Sequence, residues 1–285
     1  MEFPTPGFSQ QELTDAVGKA RSQSERPVAE EDLKLALSCI DLTTLNSTDT
    51  LSSVSSFVHK VNQFSLEFPG LPDVAAICVY PNMVTAVSET LARENVRIAS
   101  VAGGFPSSMT YTAVKVLEAS QAVVNGADEI DIVLPIWAFL DDNWTTCSDE
   151  ISRIKNAIGD SHLKVILESG VLAEPEKIWK ASVIALSSGA DFIKTSTGKL
   201  SPAATPEAAF VMCKAIGWWY EKTGEKRGFK PAGGIAETKD ALLYLNIVRE
   251  TLGDEWLNNR LFRIGASRLA NNLLSTLFGK EIRHY

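Results

Sequence analysis

The sequence predicts an α/β fold, a (β/α)8 TIM barrel with one or two extra helices at its N-terminus. Short apolar runs recur along the chain, at residues 37–42, 74–79, 98–101, 130–134, 165–167 and 192–193, around Phe229, and at 262–264. Stretches with helical spacing separate most of them, such as Val54/Phe57/Val58/Val61, Val114/Leu117/Val124 and Ile178/Ile184/Leu186. Strands of this length alternating with helices make βαβ units and a parallel sheet, and about eight units in one domain of this size make a closed barrel. An open doubly wound sheet is the alternative. A G-x-G-x-x-G turn after the first strand would favour it, and none is present.

In order, residues 1–8 hold two prolines and a glycine and read as an irregular arm. Ser9 caps a helix over 9–22, and a second helix over 27–37 opens on Glu30, Glu31 and Asp32, acids that suit a helix N-terminus. The expected organisation is an arm and helix over 1–28, the barrel over 29–278 and a tail over 279–285. Within the barrel, Gly126-Ala127-Asp128 and Gly189-Ala190-Asp191 echo each other. In each, a glycine ends a helix and a strand starts at once. An ionisable residue, Asp131 or Lys194, follows three positions after the aspartate.

Composition narrows the function classes. The chain has 285 residues, 45% of them hydrophobic, and a net charge of −8, which suits one large domain. Its Lys and Arg are scattered, without the basic stripe that nucleic-acid binding needs. No run of apolar residues is long enough for a membrane span, and the N-terminus lacks the pattern of a secretory signal. Cys39, Cys78, Cys147 and Cys213 form no C-x-x-C pair, and there are only three histidines, so neither a metal nor another cofactor is expected. The expected setting is the cytoplasm.

In such a barrel the C-terminal ends of the strands carry the active site. Asp41-Leu42-Thr43-Thr44 ends the first strand, Cys78 stands before Tyr80-Pro81 on the second, and the third runs into Gly103-Gly104. Glu129 and Asp131 belong to the fourth, Lys164 and Glu168 to the fifth, Lys194 to the sixth and Lys230 to the seventh. Charges within short apolar strands are seldom decoration; a structural ion-pair network is the alternative. Neighbouring strands lie about 4.8 Å apart, so Lys194 and Lys230, if both face inward, repel. Like charge and burial together favour a neutral amine, the nucleophile of Schiff-base chemistry. Asp131 is placed to exchange a proton, directly or through water. Three turns suited to phosphate follow strands six, seven and eight: Thr197-Gly198-Lys199, Ala232-Gly233-Gly234 and Gly265-Ala266-Ser267-Arg268. The first is not a nucleotide P-loop, because G-x-x-x-x-G-K-[ST] is unmatched.

These stretches resemble the deoxyribose-phosphate aldolase family. The resemblance rests on Asp191-Phe192-Ile193-Lys194-Thr195-Ser196-Thr197-Gly198-Lys199 and on Gly228-Phe229-Lys230-Pro231-Ala232-Gly233-Gly234. Asp41-Leu42-Thr43-Thr44-Leu45, residues 75–81, 127–131 and 262–267 support it, and it covers roughly residues 33–277 in the expected order. It implies a metal-independent class I aldolase of deoxyribose phosphate catabolism. Such an enzyme interconverts 2-deoxy-D-ribose 5-phosphate with acetaldehyde and D-glyceraldehyde 3-phosphate. Lys194 would be the Schiff-base lysine, Lys230 the neighbour that lowers its proton affinity, and Asp131 the acid/base. Thr43, Cys78, Lys164 and Thr197 would line the substrate pocket. Gly198, Lys199, Gly233, Gly234, Gly265 and Ser267 would hold the phosphate.

Two departures from the family pattern matter. Ala236 stands where some members have an arginine, and Arg268 stands where a second serine is common, so Arg268 is expected to replace the missing cation. The chain ends in Tyr285, as some relatives end in a tyrosine that serves as a proton relay. The partners implied are a sugar phosphate and aldehydes, with the chain in a homo-oligomer, a dimer first. The alternatives are another Schiff-base aldolase, such as a transaldolase, and a non-catalytic barrel that binds sugar phosphates. Trp218-Trp219-Tyr220 fits either an internal core or a face packed on a partner.

Overall fold

The computed structural model describes residues 4–285. Its eight strands are β1 (Ile40–Thr43), β2 (Ala76–Val79), β3 (Arg97–Ala102), β4 (Glu129–Val133), β5 (His162–Ile166), β6 (Phe192–Lys194), β7 (Gly228–Lys230) and β8 (Ile264–Ala266). All pairs are parallel, in the order β7-β6-β5-β4-β3-β2-β1-β8. Bridges Phe229↔Phe262 and Ala232↔Gly265 close the ring. There Arg263 N–H donates to the Phe229 carbonyl at 3.0 Å and Gly265 N–H to that of Pro231 at 2.9 Å. Closure leaves no strand edge to cover, so strands of three residues suffice.

Two helices precede the barrel, α1 (Gln10–Ser24) and α2 (Glu30–Ser38). Ser9 Oγ accepts from the Glu12 N–H at 3.1 Å, the side-chain cap its position predicts. Leu13, Val17 and Ala20 form the buried face of α1, which lies on α10 (Pro206–Thr223) and α11 (Thr238–Leu252). The arm before α1 is strapped down. Trp179 Nε1–H donates to the Pro4 carbonyl at 2.8 Å, and Phe8 meets Trp179 and Phe210 edge-on. Trp218 and Trp219 pack against the main apolar core, with Trp218 edge-on to Trp179. The remaining helices are α3 (Leu51–Glu67), α4 (Val84–Thr90), α5 (Thr112–Val124), α6 (Ile136–Leu140), α7 (Trp144–Ile158), α8 (Ser169–Leu172), α9 (Pro175–Ser187) and α12 (Leu269–Phe278). Among the described residues, no helix is long and apolar enough to cross a membrane.

Two local expectations change. The run 37–42 is not one strand: Leu37 belongs to the last turn of α2, and β1 starts at Ile40. A short apolar run cannot distinguish a buried helix end from a strand. In α5 the helix is where the spacing puts it, but the buried face is Lys115, Ala119 and Ala122. Val114, Leu117 and Val124 face solvent. The small alanines admit close packing, and the lysine takes the place an apolar residue would hold.

The Gly-Ala-Asp echo has a physical cause. Gly126 and Gly189 both have positive φ, +112° and +99°, a conformation that favours glycine. Asp128 accepts from the Ile98 N–H at 2.8 Å, and Asp191 from the Leu163 N–H at 2.9 Å. Each aspartate ties the start of its own strand to its neighbour's, so the two strands begin at matched depths. Three residues later, Asp131 and Lys194 meet: Lys194 Nζ donates to Asp131 Oδ2 at 2.9 Å.

An apolar layer fills the space between the strands and the outer helices. The barrel's inner wall has two unlike parts. Ala76, Cys78, Ala99 and Val101 on β2 and β3 form a small apolar cluster with Leu45, Tyr80 and Phe105. The rest of the inner wall carries charge.

Candidate active site

Strand parity and register put the charges together. Lys194 and Lys230 are register partners on β6 and β7, and Asp131 and Lys164 are register partners on β4 and β5. Inward residues of neighbouring strands lie side by side, so four strands deliver three amines to one carboxylate. Lys194 Nζ and Lys230 Nζ donate to Asp131 Oδ2 at 2.9 and 2.8 Å, and Lys164 Nζ donates to Oδ1 at 2.9 Å. Toward the strands' N-terminal ends, Lys230 also meets Asp41 at 2.5 Å, and Lys164 meets Glu129 at 2.6 Å. Arg263 closes the cluster, bound to Asp41 at 2.7 Å and to Glu129 at 2.8 Å. All seven side chains are buried.

Four cations thus face three carboxylates where water cannot solvate the surplus. An isolated buried charge is expensive, and the usual escape is loss of a proton. Contacts decide which amine loses it. Lys230 sits between two carboxylates, and Lys164 reaches three. Lys194 has only Asp131, which it shares. Burial pulls the proton affinity of Lys194 below lysine's ordinary 10.5, Asp131 opposes that pull, and the Lys230 ammonium adds to it. Burial would lower Lys230 and Lys164 as well, but in both the carboxylates outweigh it and the net shift is upward. Burial would raise Asp131, yet Lys164, Lys194 and Lys230 hold it well below the usual carboxylate range. Of the three amines, Lys194 is therefore the one whose proton is held least firmly, and it stands beside a carboxyl that its neighbours keep in the ionised form.

That amine opens on a cavity of about 370 Å³. Lys194 and Thr43 belong to its lining, together with Thr197, Gly198, Lys199, Gly233, Gly234, Gly265, Ser267 and Arg268. The three glycine turns converge here. Gly233 has φ +86°, and a Cβ on it would lie 2.7 Å from Ala203 Cβ and 3.0 Å from Gly198 Cα, so the turns after β6 and β7 touch through bare backbone. A Cβ on Gly265 would lie 2.8 Å from Ala232 Cβ and 3.2 Å from Lys230 Cε, so this glycine leaves the lysine its room. Ser267 and Arg268 stand at the start of α12, where backbone N–H groups point outward.

Other expected site residues make different contacts. Lys164 is fully buried against Asp131 and Glu129, so it supports the acid rather than lining the cavity. Cys78 is also fully buried, within the apolar cluster of the inner wall, and burial raises its thiol above the ordinary value. The Thr197 hydroxyl donates to Glu168 Oε2 at 2.6 Å, and Thr197 N–H donates to Oε1 at 3.1 Å. Lys199 Nζ donates to the Leu45 carbonyl at 2.6 Å, tying the turn after β6 to the segment that follows β1. Tyr285 is not brought to the lysines. It stacks on Phe64 of α3, and its backbone N–H donates to the Asn271 side chain at 3.0 Å. His284 fixes the tail further, through Glu67 and the Lys60 carbonyl.

Asp41, Glu129, Arg263 and Glu168 were given no role by the sequence. The available signal was parity: Glu129 shares its face with Asp131, and Asp41 with Thr43.

A model of the DeoC/LacD family of aldolases matches residues 35–254. A relative from Homo sapiens, named deoxyribose-phosphate aldolase, is 44% identical over 248 residues, which is 84% of this chain and 78% of that protein. Among solved structures, "QR15, an Aldolase" is similar with a TM-score of 0.70 and 28% identity, covering 85% of this chain and 96% of its own. The tetrameric deoxyribose phosphate aldolase of Aeropyrum pernix shares the fold, with a TM-score of 0.67 at 23% identity over 94% of this chain and 98% of that one.

Proposed function

This chain belongs to the DeoC/LacD family of aldolases, and from that premise we propose that it cleaves 2-deoxy-D-ribose 5-phosphate through a Schiff base on Lys194. It is an enzyme, a carbon–carbon lyase of the aldolase type. One observation carries the finer reading: Asp131 is shared by three buried amines, and the least compensated of them, Lys194, opens on a cavity rimmed by glycine turns.

In the proposed reaction the neutral Lys194 amine adds to the C1 aldehyde of the open-chain sugar. Water leaves, and a protonated imine forms. The proton of the C3 hydroxyl passes through a water to Asp131, which its amine neighbours keep in the accepting form. The C2–C3 bond breaks, its electrons move toward the iminium, and glyceraldehyde 3-phosphate departs. The enamine is then protonated at C2, and water hydrolyses the imine to acetaldehyde and free Lys194. The iminium is the electron sink, so the scheme needs no metal. Lys230 remains charged and holds Asp131 in place. Gly198, Lys199, Gly233, Gly234, Gly265, Ser267 and Arg268 orient the phosphate, far from the bonds that change.

The reading places the enzyme in the cytoplasm, where its four buried free thiols would stay reduced. It also takes the chain as a homo-oligomer, a dimer first. The tetrameric relative and the exposed Val114, Leu117 and Val124 on α5 support self-association. Sedimentation that finds only monomer at micromolar concentration removes that part.

The test of function is product analysis. Incubation with 2-deoxyribose 5-phosphate should yield acetaldehyde and glyceraldehyde 3-phosphate in equal amounts, with much weaker turnover of unphosphorylated 2-deoxyribose. Transfer of a three-carbon ketose fragment instead would make the chain a transaldolase-type enzyme. Binding of the sugar phosphate without turnover would make it a non-catalytic barrel.

A further inference from the structure

Arg263 is bound more completely than its place in the chain suggests. It immediately precedes β8, yet it is only 4% exposed. Nη1 reaches Asp41 Oδ1 at 2.7 Å and Glu129 Oε2 at 3.1 Å, Nη2 reaches Glu129 Oε1 at 2.8 Å, and Nε donates to the Asn259 carbonyl. The guanidinium also lies 5.8 Å from the centre of the Phe192 ring. It does not line the cavity. A structural salt bridge would need one carboxylate, but Arg263 takes two, and both also hold a lysine of the reactive cluster. An arginine cannot release a proton at any accessible pH. Arg263 therefore makes the positive charge of the cluster permanent, and any proton lost must come from a lysine.

We propose that Arg263 is a positioning residue for the aldolase reaction: by occupying Asp41 and Glu129 it leaves the buried cluster one cation over, and Lys194 is the group that yields the extra proton. The proposal rests on the reading of Lys194 as the Schiff-base lysine. The groups that face Lys194 across the barrel are Asp41 on β1, Cys78 on β2, Glu129 and Asp131 on β4, Lys164 on β5, Lys230 on β7 and Arg263 ahead of β8, while β3 offers only Ala99 and Val101. With Arg263 present the count is four cations against three carboxylates. Without it the count is three against three, and Lys194 keeps its proton.

The sign follows. Loss of Arg263 raises the proton affinity of Lys194 and moves the acid limb of kcat/KM to higher pH. One unit charge across part of a barrel, at an effective dielectric of about 20, moves that limb by on the order of one pH unit. The experiment is kcat/KM for 2-deoxyribose 5-phosphate cleavage, measured from mildly acidic to alkaline pH in four proteins. Against the unmodified enzyme, Arg263→Met should shift the acid limb upward by about that amount. Activity should be about tenfold lower at pH values below the limb and recover on the alkaline side. Arg263→Lys keeps the charge and should keep the limb. The double variant Glu129→Gln/Arg263→Met removes one charge of each sign, so its limb should return to that of the unmodified enzyme even though the salt bridge is gone.

A purely structural Arg263 gives a different pattern: the profile sinks equally at all pH values, and the double variant is no better than the single. Either that pattern or an unmoved limb in Arg263→Met overturns the proposal. If Arg263→Met does not fold, the double variant and Arg263→Lys still decide. A double variant with a displaced limb, or a lysine variant whose limb shifts like that of methionine, sinks the charge count. Borohydride trapping on the unmodified enzyme separates the two levels, since absence of an adduct at Lys194 removes the underlying aldolase mechanism rather than the role of Arg263 alone.

Discussion

Lys115 and Lys194 are both buried lysines, exposed by 1% and 3%, and both bond a carboxylate. Lys115, between α5 and α7, has Glu150 at 2.6 Å and Ser108 Oγ at 2.7 Å; Glu150 also accepts from Thr112. Its pair balances one to one. Lys194 shares its only carboxylate with two other amines. Burial alone therefore does not make a lysine reactive. In the proposed mechanism an unbalanced count of buried charges does, at the amine with the fewest partners, and only where a cavity admits the carbonyl that amine must attack.

The largest effects should separate the two sites by kind. Lys194→Met should cut kcat/KM by about 10^4-fold or more, because the bond-forming atom is gone. The fold should survive, since Asp131 keeps two amines. Steady-state rates beside a thermal melt check both halves. Lys230→Met should cost about 10^2- to 10^3-fold in kcat with an intact fold, because Asp131 and Asp41 lose the ammonium between them. A kcat close to that of the unmodified enzyme would break the division of labour between the two lysines.

The converse holds at the balanced pair. Lys115→Met strands Glu150 and should lower stability by roughly 3–5 kcal/mol, while kcat/KM per folded molecule stays unchanged. Denaturant titration reads the first, and rates corrected for the folded fraction read the second. The smallest effect belongs to the far end of the cavity. Arg268→Ala should raise KM for the phosphorylated sugar about tenfold and leave kcat nearly alone, as loss of one charge-assisted contact would. An unchanged KM would show that Lys199 and the backbone turns suffice.

The sequence disclosed the two strand lysines because an ammonium in a three-residue apolar strand has no ordinary reason to be there. Asp131 was legible for the same reason, helped by the Gly-Ala-Asp echo that makes it, like Lys194, the third residue of its strand. Parity says which way a strand residue faces but not how deep it lies. Lys164 accordingly read as a substrate contact, although it is fully buried, with its amine held by Asp41, Glu129 and Asp131. Arg263 stands between Phe262 and Ile264, in a run whose apolar residues marked the strand and left the arginine without a role. Only ring closure between β7 and β8 brings it under Asp41 and Glu129. Tyr285 has no periodicity around it to place it, and the ring it stacks on, Phe64 of α3, lies far from it in the sequence. On α5 the apolar residues marked the helix but not its buried face, because Lys115 buries through its partner Glu150, which only the fold supplies.

The central claim is that charge imbalance, rather than burial, selects one amine among many. Borohydride reduction in the presence of acetaldehyde, followed by peptide mass mapping, tests it most directly. The account predicts a single ethyl adduct, on Lys194, with Lys115, Lys164 and Lys230 unmodified. An adduct on any of those three, or no adduct at all under conditions where the enzyme turns over, would contradict it.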